Sequence, residues 1–373
     1  MKRILFIHNA LAEYRLECFR LISKRYDIQF LIVSKDVASK IYNFKFDLGE
    51  GLNIAYLDDI GGILCLNQYI KKGQYDVVVI PPADTFRDLQ CGLIALKAAK
   101  KIKAKTVFWT EKWEADRNKQ PFAKWVKNRI HALAIRLLTK DVTVCVAAST
   151  RTKLYFMNHI GIPEERIIVL YHSNISPKCD VQLNIKEIYG FPPNSEIILF
   201  LGRLVPRKGC DILIKAFADV VKVKPNACLL IVGEGPSLTE CQQLAGELSI
   251  PHIVFAGKVE PAKRALYYQQ SVVSCLPSYS YKGIIEAYGL TVNESLEQGT
   301  PVVTTTAVGA GHDLHDGRTC IMVEENDKNA LAGALIKVLE DRHKSETREL
   351  CVSKFREFSV ERMADNFCKS FEF

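Results

Sequence analysis

Glu286 and Glu294 stand eight positions apart in the run Glu286-Ala-Tyr-Gly-Leu-Thr-Val-Asn-Glu294. About eighty residues upstream, Gly202-Arg-Leu-Val-Pro-Arg-Lys208-Gly209 sets Arg203 and Lys208 five positions apart, just after an apolar, strand-like stretch. An arginine forks onto phosphate oxygens, and a lysine supplies a point charge. A helix predicted over 290–298 adds the positive end of its dipole. The two carboxylates accept hydrogen bonds from hydroxyl groups. Lying on either side of a glycine-centred turn, they address different parts of one ligand. A nucleotide-sugar makes all of these demands together.

Plainer explanations cover some of these residues. A solvated basic loop accounts for the Arg/Lys run taken alone, and the acidic pair downstream weighs against it. Dipole stabilisation accounts for Glu294 near a helix start. It does not account for Glu286, which lies outside the helix after Pro277-Ser278 and ahead of Gly289, where backbone can approach a ligand closely. Gly233-Glu-Gly235-Pro236 also ends a strand and opens a helix. It lacks the third glycine of a dinucleotide fingerprint, so it reads as a turn lining the nucleotide side, with a purely structural role equally served.

These groups need strands to hold them. Apolar, β-branched runs at 4–7, 28–33, 77–80, 106–109, 142–146 and 167–170 alternate with helical patterns at 12–23, 87–103, 121–140 and 150–160. The strand runs are continuously apolar, as in parallel sheets covered on both faces. After a polar pause at 171–195 the alternation restarts. Strands are expected at 197–201, 228–232, 253–255, 272–276 and 301–305, and helices at 210–223, 237–248, 262–270 and 290–298. The fold class that follows is α/β, with two doubly wound Rossmann-like domains facing across a cleft and a linker near residue 180. Ligands of such sheets bind beyond the carboxyl ends of the strands.

At 373 residues, with 48% hydrophobic and 25% charged residues, the chain has the makings of two soluble domains. No apolar run approaches the ~20 residues of a membrane-spanning helix, and the opening apolar stretch is too short for a signal peptide. Twelve cysteines show no CxxC or metal-ligand spacing; reduced, structural thiols in a cytoplasmic protein are expected, with no metal. Residues 1–180 hold 29 Lys and Arg against 18 Asp and Glu, a net +11, while the remainder is net −3. A basic half suits an anionic surface or substrate. No nucleic-acid-binding module is recognisable.

The second half resembles the glycosyltransferase family 4 (group 1) enzymes of GT-B fold. The resemblance runs through GRLVPRKG, the GEGP turn, Phe255-Ala-Gly257-Lys258-Val259, Leu276-Pro277-Ser278, the Glu-x7-Glu segment and Gly299-Thr-Pro301-Val-Val-Thr304. It continues to Val323 and a helix over 328–339. It implies domains at 1–180 (acceptor side), 181–357 (nucleotide-sugar side) and a C-terminal helix in 358–373 crossing back to the first. It also implies roles. Arg203 and Lys208, with Gly202 and Gly233 in the flanking turns, would hold the donor diphosphate. Glu294 would bind the ribose and Glu286 the transferred sugar. The backbone of Tyr288, Gly289 and Leu290 would touch sugar or phosphate, and Lys258 and Val259 would border the base. Retention of anomeric configuration without a metal is the family expectation, with a UDP-, GDP- or ADP-sugar as donor and no further cofactor. The acceptor it suggests is a glycan or lipid-linked saccharide of surface-polysaccharide synthesis.

The first half resembles the family less. Many relatives carry a histidine after the fourth strand, where this chain reads Phe108-Trp109-Thr110-Glu111-Lys112. Glu111 is the residue that falls in that place, and His8 and His172 are further cleft-edge candidates. Residues 117–140 hold seven Lys and Arg and no Asp or Glu. Phe122, Val126, Ile130, Leu133 and Leu137 form an apolar stripe there, beside Trp125. Packing of that stripe on the sheet is expected at least in part, and peripheral contact with an anionic inner-membrane surface is the functional alternative. Two other functions share the fold: a nucleotide-sugar epimerase, which needs acid/base residues and no acceptor, and a non-catalytic nucleotide-sugar-binding subunit. Between Ser278 and Glu286 the chain is longer than the family spacing, and the extra residues are expected to shape the donor-sugar side.

Overall fold

The computed structural model describes residues 1–34, 51–177, 181–341 and 343–373. The expected linker near residue 180 therefore falls partly outside the described residues, as does Cys179. The chain forms two compact units. The first comprises Met1–Trp113, Trp125–Asn174 and Val360–Phe373; the second comprises Glu114–Lys124 and Ile175–Ser359.

In the first unit seven strands form one parallel sheet in the order β3-β2-β1-β4-β5-β6-β7. They are β1 (Arg3–His8), β2 (Asp27–Ile32), β3 (Asn53–Tyr56), β4 (Val77–Ile80), β5 (Lys105–Thr110), β6 (Val144–Ala147) and β7 (Ile167–Val169). Among the described residues, α1 (Glu13–Ser23), α2 (Gly62–Gly73), α3 (Phe86–Lys101), α4 (Phe122–Thr139) and α5 (Thr150–Tyr155) cover it, with the C-terminal helix. β3 and α2 were not expected from sequence. β3 is a half-buried edge strand of four residues, and α2 buries only Leu66 and Ile70, so neither leaves a strong periodic trace. The C-terminal helix Val360–Glu372 belongs to this unit. It inserts Val360, Met363, Phe367 and Phe371 into the core around Phe6, Phe19 and Trp109, and Arg25 pairs with Asp365 at 2.6 Å.

α4 corrects one expectation. The stripe of Phe122, Ile130, Leu133 and Leu137 faces outward, at 57–67% exposure. The opposite face is the buried one, through Asn128, Ala132, Ile135, Leu138 and Thr139. Small residues make the difference. Ala132 and Gly92 of α3 let the helices approach closely, with Leu138 seated against Gly92, so the bulkier stripe is left to solvent.

The second unit carries a six-stranded parallel sheet in the order β10-β9-β8-β11-β12-β13. Its strands are β8 (Glu196–Leu201), β9 (Ala227–Val232), β10 (Ile253–Gly257), β11 (Val273–Leu276), β12 (Val302–Thr305) and β13 (Cys320–Val323). Among the described residues eight helices accompany it: α6 (Ile185–Ile188), α7 (Cys210–Val223), α8 (Leu238–Glu247), α9 (Arg264–Gln269), α10 (Thr291–Glu297), α11 (Gly309–Leu314), α12 (Lys328–Glu340) and α13 (Lys344–Glu357). β8 and β9 are buried almost end to end, which is why their sequences are apolar at every position rather than at every second one. Among the described residues every cysteine is free and all but Cys65 are buried, behaving as small hydrophobes. No helix among them is long and apolar enough to cross a membrane.

Candidate active site

The loops that leave β8, β9 and β10 are stitched to one another at the carboxyl edge of the second sheet. Gly202 N–H donates to Val232 O at 3.0 Å, Leu204 N–H to Glu234 O at 2.9 Å, and Gly233 N–H to Gly257 O at 2.8 Å. Gly233 has φ +142°, and a Cβ there would stand 1.9 Å from Gly202 O. No other residue fits a contact that close. Lys258 follows on the exposed side of this platform, and Val259 packs against the core beneath it.

A 3-10 turn at Pro206–Lys208 swings two adjacent cations inward. Lys208 is 8% exposed, with its Nζ 2.8 Å from Glu286 Oε2. Arg207 Nη1 donates to the same oxygen. Arg203 stands exposed at the head of the loop. Burial pushes the Glu286 carboxyl up, but Lys208 and then Arg207 outweigh it and hold the group below its ordinary range. Two residues 78 positions apart in the chain thus meet as an ion pair.

Backbone pairing fixes Glu286. Its N–H donates to Ala307 O at 3.1 Å, Gly309 N–H donates to its carbonyl at 3.2 Å, and Ala310 N–H donates to Tyr288 O at 2.8 Å. The segment therefore extends the sheet beside the residues that follow β12. Tyr288 sends its ring into the core with Val292 and Leu296, which leaves only its backbone for a ligand. Gly289 has φ +95°, and a Cβ would lie 2.7 Å from Val308 Cγ1, so the turn before Leu290 and α10 requires glycine. Glu294, one turn into α10, is buried; it accepts a hydrogen bond from Tyr268 Oη at 3.1 Å and lies 4.0 Å from Arg264. The two carboxylates serve different partners.

The extra residues after Ser278 form a tight turn. Tyr281 and Ile284 exchange backbone hydrogen bonds at 3.0 and 2.9 Å around Lys282 and Gly283, both at positive φ, the signature of a type I′ turn. Glu325 anchors it. Its carboxylate takes hydrogen bonds from Ser280 N–H and Oγ and pairs with Lys119 at 2.7 Å. Gln120 and Lys124 pack close to Gly283, so residues 114–124 are part of the support for this turn.

The first unit gathers a second cluster at the carboxyl ends of β1 and β5. Arg15 Nη2 meets Glu111 Oε1 at 2.5 Å, its Nη1 lies 3.2 Å from His8 Nε2, and its guanidinium lies over Trp109 and Tyr14 at 5.1 and 5.0 Å. His172 Nδ1 is 3.6 Å from Glu111. Burial favours a neutral Glu111, yet Arg15, His172 and His8 overcome it and bring its carboxyl to about 2. Burial lowers His172 to about 4 and drives His8 well below its ordinary value. All three sequence candidates of this half thus come together, around an arginine not singled out for the purpose.

Sequence reasoning missed Arg207, Tyr268, Lys119 and Glu325. Arg207 sat inside a recognised loop, and its neighbourhood to Lys208 was the available signal. The others lie in unrelated stretches and meet only through the fold.

Comparison with known proteins shows what these features are similar to. Residues 181–357 match the family model described as glycosyl transferases group 1. A GDP-mannose-dependent alpha-(1-6)-phosphatidylinositol monomannoside mannosyltransferase of Mycolicibacterium smegmatis is 28% identical over 224 residues, 58% of each chain. A phosphatidyl-myo-inositol mannosyltransferase of the same organism is 34% identical over 153 residues, 41% of this chain and 38% of the relative. These matches thus span about half the length of the relatives or less. In three dimensions, Anabaena Alr3699/HepE in complex with UDP superimposes over 100% of both chains with a TM-score of 0.74 at 16% identity. The fold is GT-B, with two Rossmann-like units.

Proposed function

We propose that this chain, whose residues 181–357 match the group 1 glycosyl transferases, moves a sugar from a nucleoside-diphosphate sugar to a glycan or lipid-linked saccharide. The observation that carries the proposal is the meeting of Lys208 with Glu286 beside the stitched loops of β8, β9 and β10. In this reading Lys208 and Arg203 neutralise the departing diphosphate, where negative charge develops in the transition state. Glu286 accepts hydrogen bonds from the transferred sugar, and Glu294 from the ribose. Lys258 and Val259 border the base, and the backbone at Gly289 and Leu290 faces sugar or phosphate. Reaction with retention and without a metal is part of the proposal. So is a leaving phosphate oxygen that takes the acceptor proton. Glu111, held near 2, is too weak a base at neutral pH to compete, so it acts as a fixed charge.

The acceptor side rests on α4. Its outward apolar stripe is flanked by Lys127 and Arg136, both exposed, in a stretch without acidic residues. That combination suits the surface of a membrane containing anionic lipid, at about 1 kcal/mol per Lys or Arg near the surface. A cytoplasmic enzyme working at the inner face on a lipid-linked acceptor of surface-polysaccharide synthesis follows.

Thermal-shift measurements with UDP-, GDP- and ADP-sugars test the donor. One of them at ~100 times its Kd should stabilise the protein by about 2.7 kcal/mol, and no shift with any would remove the proposal. Co-sedimentation tests the surface. Binding should need anionic lipid, fall with salt and be lost when Ile130, Leu133 and Leu137 become Ser. Equal binding to neutral vesicles, or none to either, would point to a soluble acceptor.

A further inference from the structure

Arg207 lies between two elements of the second unit. Its side chain donates to Glu286 Oε2, and its backbone carbonyl accepts a hydrogen bond from Tyr279 N–H at 2.9 Å. It thereby ties the loop after β8 to both ends of the segment 279–286. Lys208 reaches the same carboxylate oxygen at 2.8 Å. With both cations on Oε2, Oε1 keeps its lone pairs for a hydroxyl donor.

The two cations duplicate each other only while no other anion is present. A diphosphate beside Lys208 competes for its ammonium and adds negative charge close to Glu286. A carboxylate only 15% exposed, left beside phosphate, is pushed toward protonation. Arginine answers both problems, because its donors form a rigid fork and it stays charged at any working pH. We propose that Arg207 is a positioning residue that holds Glu286 ionised and in place once the donor diphosphate engages Lys208. The inference rests on the donor-site proposal above. Arg207 itself need not touch phosphate.

Arg207→Gln and Arg207→Lys, compared with wild type and Lys208→Gln, test this. In Arg207→Gln, kcat should fall about tenfold or more while KM changes less, the pattern of a lost transition-state interaction. The acid limb of the pH profile should move up by about one unit as Glu286 loses a neighbouring cation, and Arg207→Lys should restore most of the rate. Affinity for UDP or GDP alone should stay close to wild type in Arg207→Gln and drop in Lys208→Gln. An unchanged rate and acid limb would overturn the proposal. So would a loss of nucleotide affinity matching that of Lys208→Gln, since Arg207 would then be a phosphate ligand.

A ligand-free measurement separates this inference from the donor-site proposal. Glu286 is held low, so its charge stabilises the fold above its unfolded range, and that stability is lost as pH falls. The Tm difference between wild type and Glu286→Gln should therefore fade on acidification. In an Arg207→Gln background it should fade at higher pH. The same fading pH in both backgrounds would overturn the role of Arg207. A protein that binds no nucleoside diphosphate, yet shows this displacement, would instead sink the donor-site proposal alone.

Discussion

Each unit sets a glutamate at the carboxyl edge of a parallel sheet and pins it with an arginine, yet the two carboxylates keep different company. Around Glu286 the cations outnumber the acid: Arg207 and Lys208 share one of its oxygens, and Arg203 stands exposed at the head of the same loop. The cluster has positive charge to spare, which an incoming anion can use. Around Glu111 one arginine answers one carboxylate, and the nearby rings of His8 and His172 are held neutral by burial. That pair is balanced, with Asp84 close enough to feel both charges. Surplus charge marks a place for a ligand, whereas balance marks a brace.

The widest separation between them should come from removing the principal cation on each side. Lys208→Ala should lower transfer by about 10²–10³-fold, the scale of losing one donor to a developing oxyanion. It should leave folding comparatively intact, because Arg207 still covers Glu286. Steady-state kinetics beside a denaturant melt would show it. Near-normal turnover, or unfolding as severe as in the first-unit variant below, would erase the distinction.

The contrast also explains what could be read in advance. The second unit's candidate site is written in short local runs, GRLVPRKG and Glu-x7-Glu, because the phosphate site proposed for it draws on loops, glycines and a helix start that follow one another along the chain. Its strands at 228–232 and 197–201 were visible because burial on both faces makes every position apolar. The first unit's cluster draws Arg15 from a helix, Glu111 from the end of β5 and His172 from beyond β7. No local pattern links them. Lys119 and Glu325, 206 positions apart, were hidden for the same reason. α4 was ambiguous instead. Its larger apolar stripe left packing and outward contact both open, and alanine and glycine decided which face could pack.

Arg15→Ala offers the sharper test of the brace. Removing Arg15 takes from Glu111, 22% exposed, the arginine paired with it. Breaking a buried pair in this way costs about 3–5 kcal/mol, and partial exposure of Glu111 argues for the lower end, about 3 kcal/mol. Urea denaturation measures it directly. Arg15→Lys should recover less than half, because lysine lacks the planar fork that reaches Glu111 and His8 together. A stability loss well under ~1 kcal/mol, typical of surface pairs, would show that the cluster is not a brace.

The mildest difference is one of pH. His172 is lowered by burial, and further by Arg15 against the pull of Glu111, to about 4 from its ordinary 6.5. The unfolded chain therefore takes up a proton as pH drops through 6.5, while the folded chain does not until near 4. Stability from this group is complete above 6.5 and is lost as pH falls toward 4, at up to 1.4 kcal/mol per unit. Between pH 6.5 and 5 that is about 2 kcal/mol at most. Asp84, raised to about 6 by desolvation and then by Asp88 and Glu111, works in the opposite sense over the same range. The informative quantity is accordingly the difference between wild type and His172→Gln. The variant should lose less stability on acidification, and the gap should open below pH 6.5. Glu286 has no histidine among the groups that shift it, so the gap between wild type and Glu286→Gln should stay constant there and close only as pH falls through the carboxylate range. A His172→Gln curve parallel to wild type throughout would mean that the ring has the same pKa folded and unfolded, so that burial does not hold it neutral and the first-unit cluster gains a positive charge below pH 6.5.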